Sequence, residues 1–362
     1  MGDEKTRVAW LTGALESVRR GGQFDISGCH YEIALSAGAL DDCAVLAIDG
    51  AVDVVIATDY VRGPKFLLYE MGHLTNADIG RFLVTANISD LAAMGAAPVG
   101  MLTVVRYPSE MSDSAFQEVM LGIDDGCRAY GARLLGGDTG SAERLILSGS
   151  AIGLVPRRRA LPRTGAEPGD AIIVTGAVGG AGAAVLAAGA GLITSLDEAT
   201  WGSLLDCWRL PVAQPTVGRA LVATGLRIGC EDVSDGLRTT VRELGERNSL
   251  SAVLTVDSLP LHRGVPEVAR LAQVDSIALG ISASTDFVLC VTCAEGDVPR
   301  VLRAMEDSGH PGTVVGRLEP GEGVWLETRD GSRVVAPGVE WKHQPGDVAK
   351  MMLSGLKPSR GR

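Results

Sequence analysis

The chain has 362 residues, which at roughly 150 per domain sets an expectation of two domains. Hydrophobic residues make up 46%, enough for ordinary cores, so wholesale disorder is excluded. With 33 Lys and Arg against 44 Asp and Glu the formal net charge is -11, which argues against a nucleic-acid binder and suits carboxylates that hold cations.

In chain order, Val8, Leu11, Leu15 and Val18 recur at helical spacing, predicting an amphipathic helix over 5–20. Residues 21–40 read as an irregular, Gly-rich arm. Strands are predicted at 52–59, 101–108, 132–140 (running into a turn) and 145–156, and helices at 76–95 and 116–131, each closed by a Gly. The Pro/Gly-rich stretch 162–170 is a joint. Beyond it, AIIVTG (171–176) is a buried strand, followed by a GGAG turn and a small-residue helix over 183–191. CEDVSDG (230–236) leads into a helix over 237–247; strands follow at 251–256, 286–292 and 313–319, with a helix at 298–309. Strand and helix patterns recur on both sides of the joint, which predicts an α/β (α+β) chain of two similarly built domains.

Several tempting signals carry less. The seven cysteines are an odd number in a long chain with no secretory signal, which points to reduced thiols and a cytoplasmic setting. Cys290 and Cys293 form a single Cys-x-x-Cys inside an apolar strand, with no second pair for a zinc site. Residues 171–192 are uncharged and long enough for a membrane span, but glycines interrupt them, so no membrane partner is expected. No Gly-x-x-x-x-Gly-Lys-Ser/Thr occurs, which excludes a Walker-type loop. TGAVGGAG (175–182) matches the glycine loop of short-chain dehydrogenases, but it lies mid-chain and no Tyr-x-x-x-Lys accompanies it.

The acids at strand ends and turns carry more: Asp41 and Asp42 in LDDCAVL, Asp59 in IATD, Asp90 in NISD, Asp138 in GGDTG, and Asp232 and Asp235 in EDVSDG. Each alone could cap a helix or make a turn. Together they suit several magnesium ions, each taking one or two carboxylates and sharing phosphate oxygens, as phosphoryl transfer requires.

These segments resemble the thiamine-monophosphate kinase family, in the superfamily that also holds aminoimidazole ribonucleotide synthetase, selenophosphate synthetase and the hydrogenase-maturation carbamoyl dehydratase. LDDCAVL is similar to the family's Gly-Asp-Asp segment and IATD to its Ser-Thr-Asp; ANISDLAAMGAAP, LLGGDT, ALPRTGAEPGDAIIVTG and DVSDGL match nearly unchanged. The resemblance implies a PurM-like fold with two α/β domains, the strands of the first pairing with a second subunit in a homodimer. It sets expected boundaries at 1–39 (helix and arm), 40–158 (ATP and magnesium domain), 159–335 (C-terminal domain) and 336–362 (tail). It also implies magnesium ligands at Asp42, Thr58, Asp59, Asp90, Asp138, Asp232 and Asp235, and ATP contacts at Gly137, Asp138, Arg163 and Ser234. Asp138, Asp235 and Arg163 are expected to matter most to catalysis.

The departures lie mostly on the acceptor side. Leu40 stands where the family has Gly, and Ala57 replaces the Ser before Thr58. GPKF replaces Gly-x-His-Phe, putting Lys65 at a substrate position; Ala283-Ser284-Thr285-Asp286 replaces Gly-Gly-Glu-Asp, putting Thr285 at another. The tail aromatic is retained as Trp341, able to stack on a flat ring. The expectation is an ATP- and magnesium-dependent phosphotransferase acting on a small-molecule acceptor altered from thiamine phosphate. Alternatives are an ATP-dependent cyclase or dehydratase of the same superfamily and a non-catalytic nucleotide binder.

Overall fold

The computed structural model describes residues 23–26, 29–35, 41, 43–48, 50–61, 67–340 and 348–356. The helix expected over 5–20 lies outside these residues, as do Asp42, Lys65 and Trp341.

Seven strands form the first sheet: β1 (Gln23–Ile26), β2 (Cys29–Leu35), β3 (Ala44–Ile48), β4 (Val52–Val61), β5 (Ala97–Tyr107), β6 (Arg133–Ser141) and β7 (Ile146–Pro156). Their order is β1-β2-β3-β4-β7-β5-β6, and every pair is antiparallel except β5 with β6. The expected irregular arm is, over 23–35, a hairpin that extends this sheet at one edge, with Phe24 opposite Tyr31. In β4, residues 53, 55, 57 and 61 are buried while Val52, Thr58 and Tyr60 are exposed, the period-two pattern of a sheet with one covered face.

The covering is α2 (Asn76–Ala93), which follows the short α1 (Leu67–Glu70) and precedes α3 (Asp113–Ala129). A capping box starts α2: the Thr75 hydroxyl accepts from the Asp78 amide and the Asp78 carboxylate accepts from the Thr75 amide. Only Asn76, Ala77, Arg81 and Asp90 escape full burial. Such a helix has no polar face because it has no solvent side; it lies between the first sheet and the second half of the chain.

The second sheet contains β8 (Ala171–Val174), β9 (Ile228–Asp232), β10 (Leu250–Thr255), β11 (Leu289–Cys293), β12 (Thr313–Pro320), β13 (Val324–Glu327) and β14 (Arg333–Val335), ordered β14-β13-β10-β12-β8-β11-β9. Here only β10 with β13 is parallel. Its helices are α4 (Gly180–Gly189), α5 (Glu198–Arg209), α6 (Pro215–Thr224), α7 (Leu237–Arg247), α8 (Val265–Ala272), α9 (Ser276–Ile281), α10 (Val298–Asp307) and α11 (Val348–Leu356). Ile172, Val174 and Cys290 pack on one face with Val241 and Leu244 of α7. Ile173, Leu289 and Val291 pack on the other, in a core continuous with that around α2. The stretch resembling a membrane span is thus a buried strand and an enclosed helix, and no described helix is long and apolar enough to cross a bilayer.

The two halves are locked by aromatic and glycine contacts. Phe82 of α2 stacks on Trp208 of α5 at 5.2 Å between centroids and meets Phe287 edge-on at 5.3 Å. The Trp208 indole donates to the Ala181 carbonyl. A Cβ at Gly218 of α6 would come within 2.0 Å of the Ala92 carbonyl oxygen, so only hydrogen lets α6 rest on α2. Within the first half, Gly122 of α3 likewise lets α3 rest on α2, its added Cβ falling 2.1 Å from the Ala77 carbonyl. Gly218→Val should therefore lower stability by about 1–3 kcal/mol, read as an earlier urea midpoint.

Candidate functional site

The C-terminal half of α2 passes between β4 and β9. Asn87 lies against the first sheet: its side-chain oxygen accepts from the Asp59 amide at 3.1 Å, and its amide group donates to the Leu83 carbonyl. Room for it comes from Gly149 on β7, where a Cβ would sit 2.8 Å from Asn87 Nδ2. Two residues on, Ser89 donates a 2.6 Å hydrogen bond to Asp232 Oδ2 at the end of β9. The next residue is Asp90.

Asp232 is 2% exposed. Burial pushes its carboxyl above the ordinary range; the Ser89 hydroxyl and Arg163 pull it back, while Asp235 and Asp59 raise it again. Asp59, Asp232 and Asp235 therefore share one electrostatic environment, although they lie on different elements. The chain turns from β9 into α7 through Ser234, Asp235 and Gly236. Gly236 has φ +93°, and a Cβ there would lie 2.0 Å from the Ser282 carbonyl, so the DVSDG turn requires that glycine. Ser234 approaches Asp232 at 3.5 Å.

Arg163 sits in a ring of carboxylates: Glu231 at 3.3 Å, Glu243 at 3.9 Å and Asp41 at 4.0 Å. Its amide also donates to Asp41 Oδ2 at 3.2 Å, and its carbonyl accepts from Asn248. A residue expected to meet ATP is thus already engaged by acids, at a distance from which it stabilises ionised Asp232.

Thr58 and Asp138 stand elsewhere. Across the first sheet, Asp59, Gly149, Thr103 and Gly137 form one row, and Tyr60, Ser148, Val104 and Asp138 form the next. Rows alternate between faces, so Asp138 lies on the outer face and Asp59 on the face toward α2. Three strand spacings also part the β4 and β6 positions, about 14 Å at ~4.8 Å each. Thr58 is on the outer face too, donating to the Gly149 carbonyl at 2.7 Å and accepting from Ser150. Asp138 is exposed and pairs with Arg106 at 2.6 Å; that hydrogen bond holds its carboxyl below the ordinary range. Within one chain, then, Asp138 and Thr58 do not join Asp59, Asp232 and Asp235 around one ion. Gly137 is required by the sheet itself, since a Cβ would fall 2.1 Å from the Thr103 carbonyl.

Among the described residues no three His, Cys, Asp or Glu side chains converge closely enough to hold an ion by themselves. The donors around Asp232 are hard oxygens, which match magnesium or manganese rather than zinc or copper. Magnesium uses one or two carboxylates per ion and fills the rest of its shell with phosphate and water, so this dispersed set fits an ion arriving with a polyphosphate.

The dinucleotide-like loop is closed from within. Asp286 accepts from the Gly179 amide at 2.8 Å, just before the start of α4, and from Ser284 at 2.7 Å; Ser284 in turn accepts from Gly182. The position where a phosphate would sit is filled by the chain's own carboxylate. Thr285 is wholly buried and its hydroxyl has no hydrogen-bond partner among the described residues. Neighbouring Ser284 and Asp286 tie this segment to the loop before α4.

Sequence reasoning missed Asn87, Ser89, Arg106 and Glu231. The first two lie inside ANISDLAAMG, where only Asp90 drew notice; Arg106 and Glu231 carry no local signal.

Residues 40–155 match the N-terminal domain, and 167–327 the C-terminal domain, of AIR synthase related proteins. Thiamine-monophosphate kinase of Methanopyrus kandleri is 30% identical over 284 residues, 78% of this chain and 84% of that protein. The chain belongs to the thiamine-monophosphate kinase family. The crystal structure of thiamine-monophosphate kinase from Stenotrophomonas maltophilia K279a superposes with TM-score 0.69 at 28% identity, covering 90% of this chain and 95% of that one. A structure described as AaThiL complexed with AMPPCP and TMP shares the fold at TM-score 0.69 and 22% identity, over 84% of this chain and 91% of that one.

Burial pushes the Asp286 carboxyl up to about 6, although hydrogen bonds from Gly179, Ser284, Ala181 and Gly180 oppose the rise. Between about pH 4 and pH 6 the folded chain therefore holds a proton there that the unfolded chain has released, and stability falls as pH rises through that window. Asp286→Asn should flatten this part of the profile relative to the parent, measured by urea denaturation at pH 4, 5, 6 and 7.

Proposed function

We propose that the chain is a magnesium- and ATP-dependent phosphotransferase that extends the phosphate of thiamine monophosphate or a close relative. Family membership supports the reaction class. The observation that carries the reading is geometric: one helix shared by both halves holds the Asp59 backbone through Asn87 and the Asp232 carboxylate through Ser89, with Asp90 next in sequence.

Asp59, Asp90, Asp232 and Asp235 would hold the metal, with Asp42 beside them. Magnesium, when bound, neutralises the oxygens of the β- and γ-phosphates. Ser234 and the backbone at Gly137 would contact ATP. Arg163 would do so by exchanging one of its carboxylate partners for a phosphate oxygen. Lys65 and Trp341 would face the acceptor. A phosphate monoester is ionised near neutral pH, so its oxygen needs no general base before it attacks the γ-phosphate in line.

The outer face of the first sheet supports a homodimer. Val52, Tyr60, Leu102 and Val104 leave apolar side chains exposed there, next to Thr58 and Asp138. We infer that Asp138 of the partner subunit completes each site, because a chain's own Asp138 lies on the far face of its sheet. Cys127, Cys207, Cys290 and Cys293 are thiols outside any disulfide, which agrees with a reducing, cytoplasmic setting.

Incubation of the chain with ATP, magnesium and thiamine monophosphate should yield ADP and thiamine diphosphate, with products read by mass. Free phosphate with a dehydrated or ring-closed product from another substrate would instead indicate the cyclase or dehydratase chemistry. Asp232→Asn and Asp138→Asn should each lower kcat ~100-fold or more. When the two inactive variants are mixed and allowed to exchange subunits, activity should return to about a quarter of the parent, since half of the dimers then carry one intact site of two. Recovery of none would mean that both residues act within one subunit.

A further inference from the structure

We propose that Ser89 is a positioning residue: it holds the Asp232 carboxylate of the second sheet at a fixed distance from the metal-binding edge of the first. The proposal rests on the magnesium site described above. It concerns a residue that takes no direct part in binding metal or nucleotide.

The argument begins with helix geometry. Residues in an α-helix advance by about 100° each, so positions two apart point to nearly opposite sides. Asn87 therefore faces β4 and grips the Asp59 amide, while Ser89 faces β9 and grips Asp232. Ile88, between them in sequence, turns into the core and is fully buried. Asp90 comes next, and about 300° on from Asn87 it projects into the gap flanked by the two gripping residues. It is the one residue of 87–90 that keeps some exposure. Four consecutive residues thus set the separation of an acid from each sheet and supply a third acid between them.

The Ser89 bond is suited to this task. It joins residues 143 apart in sequence, in different halves of the molecule, at 2.6 Å. Ser89 is 0% exposed and Asp232 2%, so water does not replace the hydroxyl readily if it is removed. A buried carboxylate oxygen that loses its donor reorients or leaves its bond unmade. Partners that orient a metal's ligands typically contribute 10–100-fold in affinity. A serine present only for packing would affect stability alone.

The test uses the full chain and its Ser89→Ala and Ser89→Thr variants. Mn²⁺ binding is measured by electron paramagnetic resonance with a non-hydrolysable ATP analogue present. The magnesium dependence of turnover and the melting temperature are measured alongside. Ser89→Ala should weaken Mn²⁺ binding and raise the half-saturating magnesium concentration roughly tenfold. At saturating magnesium its kcat should stay within about threefold of the parent, while the melting temperature falls by a few degrees because a buried carboxylate oxygen has lost its donor. Ser89→Thr, which keeps the hydroxyl, should restore both metal readouts. Parental Mn²⁺ affinity in Ser89→Ala would overturn the proposal. So would a fall in kcat and melting temperature together at unchanged metal affinity. If the parent binds Mn²⁺ and nucleotide but phosphorylates no acceptor, the kinase reading fails while the Mn²⁺ comparison still decides the role of Ser89.

Discussion

The structure depends on burying one helix on every side. Because α2 is covered by the first sheet, by α3 and by α5 and α6 of the second half, the two sheets are referenced to the same rod. Apolar burial supplies the driving force, at about 25 cal/mol per Å² removed from water. Glycines at the crossings let backbones approach within reach of one another's carbonyls, which fixes the crossings as well as strengthening them. Polar residues placed late in such a helix inherit that precision. Asn87 and Ser89 can address opposite sheets only because neither sheet can slide.

The same enclosure explains the electrostatics. Gathering Asp59, Asp232 and Asp235 is unfavourable without a cation, and burial of Asp232 adds to it. Arg163 offsets part of this, but it also answers to Asp41, Glu231 and Glu243. The balance around Asp232 stays negative. A site of this charge would favour a cation that brings its own anionic ligand, because the ion would remove carboxylate repulsion while phosphates completed its shell. Fold and charge thus argue for the same kind of occupant.

Much of this was legible in the sequence, for physical reasons that differ by element. The helix at 237–247 and the strand over 52–61 follow their hydrophobic periods, which local chemistry sets. The hairpin at 23–35 did not: Tyr31, Ile33 and Leu35 do alternate with His30 and Glu32, but the strands are short and the glycines at 21, 22 and 28 made the stretch read as an arm. The acids around β9 could be picked out by type and by resemblance, but not their arrangement. Thr58 and Asp59 are neighbours that a ligand set treats as one unit, yet strand alternation sends them to opposite faces. The Ser89–Asp232 bond spans the whole fold, and no local rule points to it. A match of position for Thr285 did not reveal its full burial, because the family pattern carries no information on solvent exposure.

The loop before α4 has a wider implication. Its glycines and helix start supply the features that usually attract a pyrophosphate, but the attraction is spent on Asp286. An anion hole of this sort acts as an internal clasp, stapling a distant segment to the helix it precedes. A glycine fingerprint therefore shows that a chain can offer backbone hydrogen bonds to a carboxylate or phosphate at that point. Whether the group comes from outside depends on the acids elsewhere in the same chain that can reach it first.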